Sequence, residues 1–278
     1  MNIIIHRGTH QIGGSAIEIS TASTRIMLDF GNELSLDEKY TPINLDIDGV
    51  TKGLSDCDGI VISHYHMDHL GQLTAALPEI PLYMGMLSKE VAMISAEYQD
   101  KNLYLRLLGA NTFRGGEAFT IGDIRIRPLA IDHSAADSYM FVIEAEGKRV
   151  LYTGDFRMHG LRHHVLDQLV NTYIGEVDVL ITEGTSLSRD ADKYISEAAV
   201  LEDISSYIQD GKYVFVICSS TNIDRIMGIW QNMPSDKVLI CDAYQKRILD
   251  TVINNVYYES SLYRRHDSPL VIDKGRYP

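Results

Sequence analysis

The sequence predicts an α/β chain. Short apolar runs of strand length recur at residues 59–62, 150–153 and 177–181, and stretches with helical spacing of apolar residues alternate with such runs. The placement of the chemistry points the same way. Residues 63–71 read S-H-Y-H-M-D-H-L-G, so His64, His66, Asp68 and His69 fall within six positions, directly after the run 59–62. The stretch 70–77 looks helical and stops at Pro78. The cluster is therefore expected where a strand ends and a helix begins, the place where open α/β sheets carry their reactive groups.

The spacing has a chemical meaning. A loop leaving a strand can turn His64 and His66 to the same side, so that both imidazoles hold one metal ion. Asp68 and His69 lie further on and can reach a second ion. Mixed imidazole and carboxylate donors suit zinc, with manganese or iron as alternatives. The bland alternative is a helix start with an aspartate near its N-terminus and some surface histidines, but four such residues in six positions are rare by chance.

Composition sets the bounds. The 278 residues suffice for one large or two ordinary domains, and 45% hydrophobic with 23% charged residues is a normal globular balance. No apolar run reaches the roughly 18 residues of a membrane span, and the first residues lack the basic region and cleavage site of a signal peptide. Cys57, Cys218 and Cys241 are few, odd in number and widely spaced, which argues against a disulfide framework and for a reducing cytoplasm. Cys218 and Cys241 sit in apolar runs and are expected to be buried small hydrophobes. The net charge of −13 disfavours indiscriminate duplex binding. It does not exclude a nuclease, because divalent cations and a local basic groove can reverse the sign where it matters.

Taken in order, residues 2–6 read as a strand, 8–15 as a turn-rich loop, and 16–19 and 25–28 as strands, the last ending at Asp29. A short strand follows at 82–84. From 86 to 108, Leu87, Val91, Ile94, Tyr98, Leu105 and Leu108 recur at helical spacing, a stripe expected to pack on the sheet. Residues 113–131 read as short strands, His133 opens H-S-A-A-D-S, and 139–143 is another strand. The run 150–153 ends at Gly154 and Asp155. His159, His163 and His164 show no ligand spacing; they could line the cleft but are expected to face water. Residues 177–181 form a buried-type strand that ends at Glu183.

Beyond that point Tyr194, Ala198, Leu201, Ile204 and Ile208 make an amphipathic helix, and 213–218 reads as a continuous apolar strand. Helix 223–233, strand 237–241 and helix 243–257 complete a small parallel α/β unit with both faces covered. Ser219, Ser220, Thr221 and Asn222 lie between a strand end and a helix N-terminus and form a candidate anion cradle, with Arg225 able to fork onto a phosphate. The alternative there is an ordinary helix cap. Residues 262–266 are locally basic.

H-x-H-x-D-H after an apolar strand resembles the metallo-β-lactamase-fold hydrolases. The H-S-A-A-D-S stretch, T-G-D at 153–155 and T-E-G-T at 182–185 narrow the resemblance to the β-CASP nucleases, and within them to ribonuclease J-like proteins. The resemblance implies an αββα sandwich over residues 1–189, incomplete on its C-terminal side, and the start of an inserted parallel α/β β-CASP cap over 190–278. It implies that Asp29 orients the metal-site loop, that His133 completes the first ion's ligands and that Asp155 bridges both ions. Glu183 would be the acid of the cap motif, and Asp68 both a ligand and a proton acceptor. Two zinc ions are implied, the second partly occupied because nothing after Asp155 matches the family's closing histidine motifs; Mn2+ is the alternative metal. The chain is accordingly expected to be truncated before those motifs.

The expected function is a metal-dependent phosphodiesterase, a ribonuclease, acting on RNA or another single-stranded nucleic acid and not on membranes. Two alternatives stand beside it. One is a small-molecule ester or thioester hydrolase of the same fold. The other is a non-catalytic metal-binding scaffold or RNA-binding subunit. For the cap, the alternative is a surface that makes a homodimer.

Overall fold

The computed structural model of the chain describes residues 1–34, 43–187, 194–255 and 269–271. The expected domain boundary at 189–190 and the basic stretch 262–266 lie outside the described residues.

Alternating apolar residues build two facing sheets. The first contains β1 (Asn2–Arg7), β2 (Ala16–Ser20), β3 (Arg25–Leu28), β4 (Gly59–Val61), β5 (Leu82–Gly85) and β6 (Asn111–Phe113), in that order. Its first three strands are antiparallel and the rest run parallel. The second sheet has the order β11 (Val179–Ile181), β10 (Lys148–Tyr152), β9 (Ser138–Ala145), β8 (Ile124–Ile131), β7 (Phe119–Ile121). The side-chain period of two decides which face each residue serves. Ile26, Leu28 and Val61 of the first sheet meet Phe141, Ile143 and Val150 of the second in one shared core. Met27, Ile60 and Ile62 point the other way, onto helices α2 (Met86–Gln99) and α3 (Lys101–Leu108). Met140, Val142 and Leu151 point outward from the second sheet onto α4 (Val165–Leu169) and the turn of π-helix after it. This is the αββα layering expected.

The helices after residue 193 close over one end of the first layer. These are α5 (Glu197–Asp210), α6 (Ile223–Gln231) and α7 (Ala243–Asn254). Ile223, Met227, Trp230, Ile248 and Leu249 enter the same core as Leu87, Val91 and Leu107. Ser95 and Tyr244 share a hydroxyl hydrogen bond of 2.8 Å between α2 and α7.

Several expectations are corrected. No helix spans 70–77; α1 is Met67–Leu70, so Asp68 and His69 are helical and 71–76 are turns. The carbonyls of Asp68 and His69 accept from Ser15 N and Phe30 N, which leaves nothing for residues 72 and 73 to continue the helix. Residues 86–108 form two helices, because the Asp100 side chain caps the second one at Asn102 N and Leu103 N. The change of axis turns Leu105 and Leu108 to solvent, and Tyr98 is exposed as well. Strand β11 is half-exposed rather than buried, since it lies at the edge of its sheet.

The segment 213–218 is not a strand. No ladder pairs it among the described residues, and Phe215 and Ile217 are 91% and 99% exposed. A parallel strand exists only through its neighbours, and the nearby pairing is two residues long: β12 (Ile240–Cys241) with β13 (Leu270–Val271). The expected strand 237–241 shrinks to β12 for the same reason. Cys218 and Cys241 are therefore half-buried, and only Cys57 is buried. Tyr194 precedes α5 instead of joining its apolar face.

The turn after β3 is where a Cβ matters most. An added Cβ on Gly31 would stand 1.6 Å from the Asp68 carbonyl oxygen. We expect Gly31→Ala to cost about 3 kcal/mol, a fall in Tm on the order of 10 °C. Gly109→Ala, where a Cβ meets only the Arg106 carbonyl at 4.0 Å, should leave Tm nearly unchanged in the same thermal melts.

Candidate metal centre

The site forms where strand ends from both sheets reach one rim. The loop after β4 supplies His64 and His66, α1 supplies Asp68 and His69, the end of β8 supplies His133, and the end of β10 supplies Asp155. Tyr139 N donates to the Ser63 carbonyl at 3.1 Å and joins the two sheets at that rim.

The imidazole nitrogens converge. His66 Nδ1 lies 3.1 Å from His64 Nε2 and 3.1 Å from His133 Nε2. One ring nitrogen has a single in-plane lone pair or a single N–H, so it cannot serve both neighbours well. A shared cation can: zinc–nitrogen bonds of about 2.0–2.1 Å in a tetrahedron put the donors roughly 3.3 Å apart. His64, His69 and Asp155 make a second compact donor group, with His69 Nε2 3.3 Å from Asp155 Oδ1. Asp68 stands at the edge of this group, its Oδ2 3.7 Å from His69 Nε2. These residues fit divalent cations by donor type and convergence.

Asp29 sets the tautomers. It is fully buried with φ +56°, a left-handed conformation that aspartate tolerates better than most residues. Its Oδ1 accepts from Ser63 N at 2.7 Å. Its Oδ2 accepts from Ser63 Oγ at 2.7 Å, His69 Nδ1 at 2.7 Å and Tyr152 OH at 2.6 Å. His69 therefore carries its proton on Nδ1 and turns Nε2 to Asp155 and Asp68. Ser63 gives its only hydroxyl proton to Asp29, so Ser63 Oγ accepts from His64 Nδ1 at 3.0 Å. That fixes His64 Nε2 as the free donor atom. These bonds tie Asp29 to the loop after β4 and to α1. Ser63 and Tyr152 were not singled out from sequence; each lies next to a ligand motif, but nothing in the spacing says that both meet Asp29.

Burial first, then the charge on neighbouring His69, pushes His66 down to about 4. Burial and the His66 ring push His133 down to about 3. Both rings are thus neutral, as ligands must be. His69 goes the other way. Burial opposes its charge, but Asp29 and Asp155 outweigh burial and hold it protonated well above the usual histidine range. Asp155 is held below the carboxylate range against burial, chiefly by His69. Burial raises Asp68.

A cleft of about 1030 Å³ opens beside the cluster, lined in part by Asp68, His133, Asp155, Glu183, Asn222 and Arg225. Glu183 Oε1 accepts from Phe156 N at 3.0 Å and so steadies the Asp155 loop. Burial, with the Asp155 charge adding to it, raises the Glu183 carboxyl above its ordinary range. His159 also lines this cleft and stacks on Tyr194, contrary to the expectation that it faces water; His163 and His164 are exposed as expected. The structure splits the candidate anion cradle. Asn222 and Arg225 face the large cleft, whereas Ser219, Ser220 and Thr221 line a smaller cavity of about 510 Å³ that also touches His66. Arg225 forks onto Glu197 at 2.7 and 2.8 Å.

Comparison with known proteins matches residues 24–205 to the β-lactamase superfamily domain. The chain is 27% identical to an endoribonuclease YSH1 of Gibberella zeae, over 93% of this chain and 32% of that protein. It is 26% identical to an RNase J-like protein of Methanocaldococcus jannaschii, over 76% of this chain and 49% of that one. It thus spans about a third to a half of the length of these curated relatives. A crystal structure of a protein of unknown function from Enterococcus faecalis superposes with a TM-score of 0.76 at 20% identity, over 88% of this chain and 66% of that one. This last likeness concerns the fold alone.

Two outcomes follow from the geometry. Asp29→Asn keeps the shape and suits the left-handed backbone, but it puts an NH2 group where donors converge. Zinc affinity, measured by chelator competition, should fall about 10–100-fold. His69 keeps its Nδ1 proton on Asp29 but must lose its Nε2 proton before it can bind an ion, so zinc binding near pH 7 should release protons and tighten as pH rises. Calorimetry in buffers of different ionisation enthalpy counts the protons; no release would contradict the protonated His69.

Proposed function

The chain belongs to the β-lactamase superfamily, and from that footing we propose that it is a metal-dependent phosphodiesterase, a ribonuclease of the β-CASP type. The observation that carries the hydrolytic half is the convergence of His64, His66 and His133 on one point, with His69 and Asp155 beside them. The ribonuclease half is supported by relatives named as an endoribonuclease and an RNase J-like protein. Zinc is the cofactor this donor set suits best, with manganese as the alternative.

His64, His66 and His133 would hold one ion; His69, Asp155 and Asp68 would hold the other. A divalent cation there would acidify a water and offset charge on a phosphoryl group. Asp68 would accept the attacking water's proton; its position on the cleft and its burial-raised carboxyl support this. Glu183, whose carboxyl burial raises, lines the same cleft and would take part in proton transfer at the leaving oxygen. Asn222 and Arg225, with the hydroxyls of Ser219, Ser220 and Thr221 across the cluster, would contact the sugar-phosphate chain. Arg225 can do so while it stays forked on Glu197, because its remaining terminal nitrogen is free of that fork. The three free cysteines fit a reducing compartment such as the cytoplasm. No described helix is long and apolar enough to cross a membrane.

Labelled RNA, the matching DNA and a small thioester should be offered to the zinc-loaded chain. We expect RNA cleavage that stops on chelation and returns with zinc or manganese. Glu183→Gln should lower it ~10²-fold or more. Thioester turnover that exceeds RNA cleavage and ignores Glu183→Gln would favour the small-molecule alternative instead.

A further inference from the structure

Tyr65 and Arg157, neighbours of candidate ligands, reach the segment after residue 193, and Asp132 reaches it through Arg157 and Arg162. Tyr65 lies between His64 and His66; its hydroxyl donates to the Thr221 carbonyl at 2.8 Å and accepts from Ala136 N at 2.9 Å. Asp132 precedes His133. Its buried carboxylate takes Arg157 Nε at 2.7 Å and Arg162 N at 2.5 Å, and its carbonyl takes Arg157 N at 2.9 Å. Arg157 lies two residues beyond Asp155. Its guanidinium reaches Asp224 at 3.0 Å and Glu197 at 3.7 Å. Asp224, on the first turn of α6 and fully buried, also takes Arg162 at 2.9 Å.

Three carboxylates, Asp132, Glu197 and Asp224, thus alternate with Arg157, Arg162 and Arg225 in the seam between the ligand loops and α5–α6. The three acids are at most 2% exposed. Such a network tolerates no slack, because displacing one member leaves a buried charge unpaired. Gly160 shows how tight it is: an added Cβ would stand 2.3 Å from both Arg157 Nε and Asp132 Oδ1.

We propose that the seating of α5 and α6 and the binding of metal are thermodynamically linked through Asp132, Arg157 and Asp224. The inference rests on the metal centre proposed above. Asp132 and Arg157 are positioning residues: they fix where His133 and Asp155 stand, and Asp224 fixes them from the helix side. Linkage is reciprocal. What docking adds to metal affinity, metal adds to the stability of docking. A substrate that pushes on α6 from the cleft then changes the grip on the ions.

The first test uses the unaltered chain, metal-free and with zinc alone, followed by hydrogen exchange. Zinc should slow exchange in residues 223–231 about tenfold or more. Slowing confined to residues 63–70, 132–134 and 154–157 would overturn the linkage. The second test is Asp224→Asn, which touches no ligand. Zinc affinity by chelator competition should fall about 10–100-fold, and Asp224→Glu should restore part of it. Zinc affinity within twofold of the parent, however far Tm falls, would reduce the network to a structural staple. If Asp224→Asn does not fold, the exchange experiment decides. If the parent chain binds no zinc, the metal centre itself fails and the linkage falls with it.

Discussion

The centre depends on one carboxylate with four donors. Asp29 sits at the end of β3, in a left-handed turn and out of reach of water. It ties the β4 loop through Ser63, α1 through His69 and the second sheet through Tyr152. One group therefore sets the ring orientation of two candidate ligands, His64 and His69, and stitches the two layers beneath them. A buried carboxylate is costly unless every lone pair is used, and here the donors that use them are the ones that build the site.

The two sheets contribute different candidate ligands, so the cluster assembles only when they face each other in the right register. His64 and His66 come from the first sheet, His133 and Asp155 from the second. A slip of one residue in β8 would turn Ile131 and its neighbours to the wrong side and carry His133 away from the rim. The split of β8, with Ile124 and Ile126 in one core and Leu129 and Ile131 in the other, thereby secures chemistry as well as packing.

Much of this is legible in the sequence, because strand alternation and ligand spacing are local properties. Strands β1 to β5 and β8 to β10 lie where local reading puts them, and the His64–His69 cluster lies after β4; His133 and Asp155 were singled out only through the family resemblance, and the fold brings all six candidates to one rim. The misreadings share a cause. Helix 70–77 fails because Ser15 N and Phe30 N, distant in sequence, claim the carbonyls of Asp68 and His69 just before it. The helix 86–108 breaks at a side-chain cap that periodicity does not register. Strand 213–218 has the right composition but no neighbour to pair with among the described residues. The charge network of Asp132, Arg157 and Asp224 was invisible for the same reason: its members lie up to about ninety positions apart, and ordinary surface charges look identical in a sequence.

The bare stretch 213–218 has a colloidal consequence. It reads Tyr-Val-Phe-Val-Ile-Cys, without charge, proline or glycine, and that is the signature of segments that stack into cross-β aggregates. What holds two such molecules apart is mainly their net charge of −13. That repulsion reaches only about 8 Å at physiological ionic strength and about 3 Å in molar salt. An exposed stripe of this kind beside a screened net charge implies that added salt favours association over dispersal.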